Sequence, residues 1–322
     1  MVPLHSLKYI ISAVALAAVL ALLEWAYIRV ARRNHIGVTA SDKGRRRFVA
    51  VGGGFIFILA TIMAVAVFPA TAPYIFLVYM YVGGGAILAV LSYADDLITL
   101  SPRLRLGVHI AVTALVLALM PFGSNYLLYA CAVIACTGYM NASNFMDGIN
   151  GMLALYSGVV LATLACVMPS PVVLALLVAT AVFAAYNCRR EPSVYSGDVG
   201  SITIGFFIAT SLVYYILDSD EYSAAVFVLV FLIDTFCTFM ERLLRGDNVF
   251  MSHRRHLYQL LIRRGAHPLA VSAGYAAVQL AVNGVWLMLP EAARPVYAIA
   301  SAAILLTLYI FIRIFALKRY NA

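Results

Sequence analysis

Four aspartates carry the chemistry of a chain that is 64% hydrophobic and only 11% charged. Asp95 and Asp96 lie in YADDL, Asp147 in NASNFMDGING and Asp198 in YSGDVGSITIGF. An ionisable group inside an apolar span costs roughly 2.5 kcal/mol or more at its centre, so each of the four asks for a reason. Adjacent helical positions point about 100° apart, so Asp95 and Asp96 cannot easily clasp one ion and are expected to do different jobs. They also close an apolar span, where the helix dipole disfavours negative charge, and this favours function over a solvated helix end. In NASNFMDGING, Asn141, Asn144, Asp147 and Asn150 recur every third residue, which on a helix draws one slowly drifting polar stripe. Helix-to-helix hydrogen bonding accounts for any single asparagine. Four such groups in register with a carboxylate read better as a cavity wall, with Gly148 and Gly151 ending the helix. Gly197, Gly200 and Ser201 surround Asp198 just before another span, leaving backbone N–H groups for a phosphate and the carboxylate for a hard cation bridging it. Ser201 is the expected helix cap there.

A fourth basic segment, RGDNVFMSHRRHLYQLLIRRGAHP, sets His253, Arg254, Arg255 and His256 beside Leu257, Leu260 and Leu261. This is the pattern of an amphipathic helix on a membrane surface, and for Arg263 and Arg264 attraction to anionic lipid is the preferred reading. The HRRH cluster suits a diphosphate, whereas zinc lacks a third ligand nearby. Asp234, deep in LIDTF, either pairs with an arginine or lines the cavity. The glycine runs 52–54 and 83–85 read as close helix packing.

The elements that must position these groups are membrane spans. Apolar runs of 18 or more residues recur along nearly all 322 residues, which excludes a soluble core. Spans fall at about 7–28, 48–70, 73–92, 105–121, 127–144, 151–168, 171–187, 201–217, 223–241, 269–289 and 295–316. The expected fold is an all-α polytopic integral membrane protein of about eleven transmembrane helices. The first run lacks a small-residue cleavage site and reads as a retained span. Alternate loops then place every basic residue but Lys8 and Arg294 on one side, so the net charge of +8 reflects topology and not nucleic-acid binding. The positive-inside rule makes that side cytoplasmic, with the N-terminus outside and the C-terminus inside. Asp218, Asp220, Glu221 and Glu291 fall in short outer loops. Asp95, Asp96, Asp147 and Asp198 all fall at cytoplasmic mouths. One domain, 1–322, is expected, with its catalytic loops at about 29–47, 93–104, 145–150, 188–200 and 242–268. The five cysteines lack metal-ligand spacing and read as packing thiols.

Together, YADDL, NASNFMDGING, YSGDVGSITIGF, IDTFCTFMERLLRG and HRRHLYQ, in this order from Asp95 to about Gln259, resemble the polyprenyl-phosphate N-acetylhexosamine-1-phosphate transferases. That family includes the phospho-N-acetylmuramoyl-pentapeptide transferases and the undecaprenyl-phosphate N-acetylglucosamine-1-phosphate transferases. The resemblance implies attack by undecaprenyl phosphate on a UDP-N-acetylamino sugar, giving a lipid-diphospho-sugar and UMP. It implies Mg²⁺, with Mn²⁺ as a substitute, a bacterial cytoplasmic (inner) membrane location and an active site facing the cytoplasm. Asp198 matches the magnesium ligand. Asp95 and Asp96 match the acidic pair, and Asn144 and Asp147 the polar motif. Asn141, Asn150, Gly197, His253, Arg254, Arg255 and His256 are carried as substrate contacts. The sugar, the prenyl length and a homodimer are left open.

The sequence departs from the family pattern at three places. The usual DGLDG is DGING, with Asn150 for the second aspartate. Tyr258 and Gln259 replace the usual adjacent histidines, with His253 upstream, and the approach to Gly52 lacks the common prolines. HRRHLYQ is similar to the branch that initiates O-antigen and other surface polysaccharides (lipopolysaccharide among them) from sugars such as N-acetylglucosamine or N-acetylfucosamine. It is unlike the muramoyl-pentapeptide branch. Two other classes compete. An intramembrane aspartyl protease needs two acids close enough to share a proton, and a secondary transporter needs polar broken helices at midplane in repeated halves. Acids gathered at one surface beside basic groups favour phosphate chemistry, and no internal repeat is evident.

Overall fold

A computed structural model describes residues 4–42, 45–67, 75–98, 100–248 and 254–318. Twelve α-helices occur among them: α1 (Leu4–Arg33), α2 (Phe55–Val67), α3 (Ile75–Ile98), α4 (Pro102–Leu117), α5 (Tyr126–Met146), α6 (Met152–Val167), α7 (Pro171–Asn187), α8 (Gly197–Ser219), α9 (Leu229–Leu244), α10 (Leu257–Arg263), α11 (Pro268–Met288) and α12 (Arg294–Lys318). Among the described residues, six stretches are long and apolar enough to cross a membrane: Ile11–Arg33, Val78–Ile98, Gly197–Ser219, Tyr222–Leu244, Pro268–Met288 and Glu291–Leu317. The chain is an all-α multi-pass membrane protein with a small β-sheet at one end. Its five cysteines are free thiols.

The sheet corrects the expected span at 48–70. Gly37–Asp42 (β1) and Arg45–Val51 (β2) form an antiparallel hairpin, and the helix starts only at Phe55. RRRFVAV is a short run with β-branched residues that joins apolar sequence directly, so its hydropathy merges with the helix that follows. Its pairing is non-local: β2 lies parallel to Val194–Tyr195 (β3), with Ala50 opposite Val194 and Val51 opposite Tyr195. The Gly52, Gly53 and Gly54 amides then donate to the carbonyls of Tyr195, Tyr195 and Ser196 at 3.1, 3.0 and 3.0 Å. This lashes the entrance of α2 to the entrance of α8. Gly54 has no substitute here, since an added Cβ would stand 2.5 Å from the Gly200 amide nitrogen.

Helix α8 is the hub, buried on every side from Val199 to Leu212. Phe206 and Phe207 are fully buried. Phe207 lies against Gly85 of α3, and the Tyr81 hydroxyl of α3 donates to the Phe207 carbonyl at 3.0 Å. On its other side Gly205 rests on Met140 of α5, where an added Cβ would come within 3.0 Å of the Met140 Cα. Close packing is thus what Gly54, Gly84 and Gly85 do, while Gly83 faces open space. A second polar seam joins α6 to α11: Tyr156 donates to Gln279 at 2.7 Å, and Gln279 and Thr163 both bond Asn283. In this way α3, α5 and α8 run side by side, and all the predicted acids lie at one end of that trio.

Candidate active site

At that end α3 extends to Ile98, further than its apolar run, and carries Asp95 and Asp96 in its last turns. The two carboxylates diverge as their adjacency requires. Asp95 accepts from the Leu100 amide at 2.5 Å, beyond the helix end, and from Arg105 of α4. Asp96 points to α8 and accepts from the Asp198 amide at 3.3 Å. It therefore fills the role expected of Ser201 and occupies part of the anion site expected at this helix start. Ser201 lies one turn inside α8, its hydroxyl donating back to the Gly197 carbonyl at 3.3 Å. The cap moved because α8 begins four residues early, at Gly197, whose φ of +69° lets the chain turn beneath Asp96. An added Cβ there would stand 2.6 Å from an Asp96 carboxylate oxygen.

Asp198 lies in the first turn of α8, where the dipole favours its charge. Arg105 donates to it at 3.0 Å with the same terminal nitrogen that meets Asp95, and the Asn144 side chain of α5 is near enough to favour its charged form. Asp147 ends α5 as its C-cap and accepts from Ser196, one residue before α8. Burial, with Asp198 and Asp96 nearby, holds the Asp147 carboxyl well above the usual carboxylate range, against the lowering effect of Ser196. Four acids from α3, the α5 terminus and α8 thus share one place with the guanidinium of Arg105. Arg105 and Ser196 were not singled out from the sequence as site residues, and Tyr258 was noted only as a departure from the family pattern. For Arg105 the available signal was a basic residue one Ser-Pro turn after the acidic pair.

The donors here are hard oxygens: carboxylates of Asp95, Asp96, Asp147 and Asp198, and the Asn144 amide. Among the described residues no three His, Cys, Asp or Glu side chains close into a cage. Hard oxygens are the donor type of a magnesium-sized ion, which uses one or two carboxylates and completes its shell with water and phosphate oxygens. A proton-sharing aspartyl dyad does not fit, because the Arg105 guanidinium bonds both Asp95 and Asp198.

Other expected contacts are placed differently. The stripe is cut short, because α5 stops at Met146 and Asn150 is no longer helical. Asn150 donates to the Arg189 carbonyl at 2.5 Å while its own carbonyl accepts from Ser272 at 2.9 Å, so it braces two loops. Asn141 turns back on its own helix, onto the Thr137 carbonyl at 2.8 Å. His256 is buried, its Nδ1 facing Asp234 at 3.3 Å and its ring stacked on Phe145. Asp234 is likewise buried and takes the Leu257 amide at 3.1 Å and the Tyr275 hydroxyl at 2.7 Å, so of its two open readings the arginine pair is not the one its described hydrogen bonds give. Arg254 is exposed and Arg255 pairs with Asp247. His253 lies outside the described residues. Helix α10 is amphipathic as expected, yet Leu257, Tyr258 and Leu260 are buried against the protein. The Tyr258 hydroxyl donates to the Phe145 carbonyl at 3.0 Å, tying α10 to the turn that carries Asp147.

Residues 77–217, which span Asp95, Asp96, Asp147 and Asp198, match the family model for Glycosyl transferase family 4. The chain is 26% identical over 239 residues to a phospho-N-acetylmuramoyl-pentapeptide-transferase of Fervidobacterium nodosum, covering 65% of this chain and 73% of the relative. It is 23% identical over 239 residues to a probable undecaprenyl-phosphate N-acetylglucosaminyl 1-phosphate transferase of Bacillus subtilis, covering 64% and 66%. It is 24% identical over 221 residues to the undecaprenyl-phosphate alpha-N-acetylglucosaminyl 1-phosphate transferase of Escherichia coli K12, covering 58% of each. Over residues 77–217 the chain is thus similar to glycosyl transferase family 4, and the relatives it matches are phospho-N-acetylmuramoyl-pentapeptide and undecaprenyl-phosphate N-acetylglucosaminyl 1-phosphate transferases.

Proposed function

We propose that the chain transfers a sugar-1-phosphate from a UDP-N-acetylamino sugar, of the N-acetylglucosamine or N-acetylfucosamine kind, to undecaprenyl phosphate. The products are UMP and the lipid-diphospho-sugar that initiates an O-antigen-like surface polysaccharide. The observation that carries this reading is the convergence of Asp95, Asp96, Asp147 and Asp198 with Arg105 at one end of α3, α5 and α8. An oxygen of the lipid phosphate attacks the sugar-linked phosphorus, the phosphoanhydride bond to UMP breaks, and UMP leaves with its electron pair. A phosphate monoester loses its second proton near pH 6, so the nucleophile is largely dianionic at neutral pH. Positioning and charge shielding therefore outweigh proton abstraction.

Asp198, with Asn144 beside it, would hold Mg²⁺, which when bound shields phosphate charge and draws electron density from the phosphorus. Arg105 holds Asp95 and Asp198 in place and supplies a fixed positive charge to the diphosphate. Asp96 fixes the start of α8, and Asp147, whose carboxyl burial keeps protonated at neutral pH, is suited to donate a hydrogen bond to a phosphate oxygen. Arg254 is exposed and would meet the nucleotide phosphates, from the side that the positive-inside rule favours as cytoplasmic. The preference for a surface-polysaccharide sugar rests on HRRHLYQ, with Tyr258 and Gln259 in it, and not on overall similarity, which is 26% to the muramoyl-pentapeptide relative and 23–24% to the N-acetylglucosaminyl 1-phosphate transferases.

The test mixes purified protein with undecaprenyl phosphate, Mg²⁺ and a panel of UDP-N-acetylamino sugars, and follows UMP. The reading fails if no sugar yields UMP or lipid product while a labelled solute crosses proteoliposomes. Asp198→Asn is expected to abolish turnover at every magnesium concentration, and near-normal turnover would remove it from the metal site.

A further inference from the structure

Beyond the carboxylate cluster, a cleft of about 420 Å³ opens between α9, α10, α11 and α12. Its rim is exposed and apolar, with Val278, Leu308 and Ile312 each 40% or more accessible. Its floor is buried and includes Asp234, Tyr275 and Tyr309. All three polar tips of that floor are already engaged. Tyr275 donates to Asp234 at 2.7 Å, and Tyr309 accepts from Arg313 at 2.8 Å while its own hydroxyl reaches Asp234 at 3.4 Å. The cleft thus offers hydrocarbon walls and no spare donor or acceptor with which to orient a sugar or nucleotide.

Its lining on α11 runs from Ala270 to Val278, a depth of about 12 Å along the helix axis. The shallow end is basic. Arg263 and Arg264 close α10 and are exposed, and the Arg264 guanidinium lies 5.7 Å from the centre of the Phe315 ring on α12. An apolar slot with arginines at one end complements an acyl chain joined to an anionic headgroup.

The geometry points to a binding site for one anionic glycerophospholipid, with an acyl chain in the cleft and its phosphate on Arg263 and Arg264. The undecaprenyl acceptor fits less well, because Asp234 on the floor of the cleft, with His256 against it and stacked on Phe145, stands between the cleft and the turn carrying Asp147. The site would be an annular lipid's fixed seat, bracing the contact between α10 and α12 independently of turnover.

Gly274 makes this testable, since it lines the cleft and an added Cβ there meets nothing within 4 Å. Gly274→Leu fills the slot and improves helix propensity, so folding is preserved. The full chain is exchanged in detergent with phosphatidylglycerol, phosphatidylcholine or undecaprenyl phosphate, and retained lipid is read by native mass spectrometry. The expected result is one retained phosphatidylglycerol, lost in Gly274→Leu. In Arg263→Gln/Arg264→Gln the preference for phosphatidylglycerol over phosphatidylcholine is lost. Retention unchanged by Gly274→Leu overturns the proposal. So does displacement by undecaprenyl phosphate that Gly274→Leu abolishes, which makes the cleft the acceptor's, and so does conversion of a dimer to a monomer, which makes it an interface between copies. None of these readouts depends on turnover, so failure here and failure of the transferase reading are separate results.

Discussion

Gly148→Ala tests whether α10 sets the position of the Asp147 turn. A methyl group at residue 148 would stand 2.9 Å from the Tyr258 Cζ and 3.1 Å from Cε2, with the hydroxyl nearer still. The Tyr258 ring is 1% exposed, and its hydroxyl bonds the Phe145 carbonyl at 3.0 Å and accepts from Gln259 at 3.1 Å, so it has little freedom to yield. Displacing it costs about 1 kcal/mol for each hydrogen bond, plus about 1–3 kcal/mol for forcing a shift in a packed region. A sum of about 4 kcal/mol is shared between α10 and the turn. A turn displaced by about 1 Å carries Asp147 with it and lowers UMP release by about 10²-fold. Tyr258→Phe alone forfeits the two hydrogen bonds without the clash, for about 2 kcal/mol of stability. In Gly148→Ala/Tyr258→Phe the hydroxyl that clashes is gone, so the double variant is expected to be less impaired than the two single effects combined, in both UMP release and melting temperature. Coupling of this sign is what direct contact produces. A Gly148→Ala protein with wild-type turnover and melting temperature, or a double variant whose losses simply add, would refute the idea that Tyr258 sets the turn.

The remaining expectations concern the ties around Asp198. Gly54→Ala drives a methyl into the backbone of Gly200, where no side chain can swing away, so it is expected to lower the melting temperature sharply, while Gly83→Ala, facing open space, leaves it unchanged or slightly raised. Arg105→Gln removes the charge between Asp95 and Asp198 and is expected to cut UMP release by about 10²–10³-fold. The same change leaves the site more negative, so the half-saturating magnesium concentration should not rise, and a rise would mean that Arg105 orders the metal ligands more than it serves the phosphates. Asn150→Ala should lower stability slightly, and Asn150→Asp should not rescue it, because the bond to the Arg189 carbonyl needs a donor; rescue by aspartate would place a carboxylate role there after all.

What could be read from the sequence was the gathering of Asp95, Asp96, Asp147 and Asp198, because each acid is expensive beside an apolar span and span counting puts all four at one face. The divergence of Asp95 from Asp96 was readable too, since it follows from helix geometry alone. What escaped depends on partners far along the chain. Ser201 has the right type and position for a cap, but Asp96, some hundred residues earlier, supplies the bond. His256 looked like a ligand for phosphate because its surroundings read as charged, yet its partner Asp234 comes from a neighbouring helix and draws it inward. Asn150 looked like the end of a polar stripe, but one residue at C-cap geometry, Asp147, ends the helix and sends the asparagine to another loop.

The hairpin β1–β2 matters for the same reason, although it holds none of the acids. Asp198 stands on the first turn of α8, and that turn is tied down by three separate segments. Asp96 accepts from its amide, the glycines after β2 donate to the carbonyls just before it, and Ser196 reaches Asp147. Carboxylates that repel one another would move apart if any one of these were a free loop. With α3, β2 and α5 each holding the α8 entrance from a different direction, the repulsion is retained in the folded protein and becomes available to attract a cation. A sheet of three short strands in a helical membrane protein is therefore part of the site: it supplies the rigid backbone edge that a helix terminus, with its unpaired groups, cannot supply for itself.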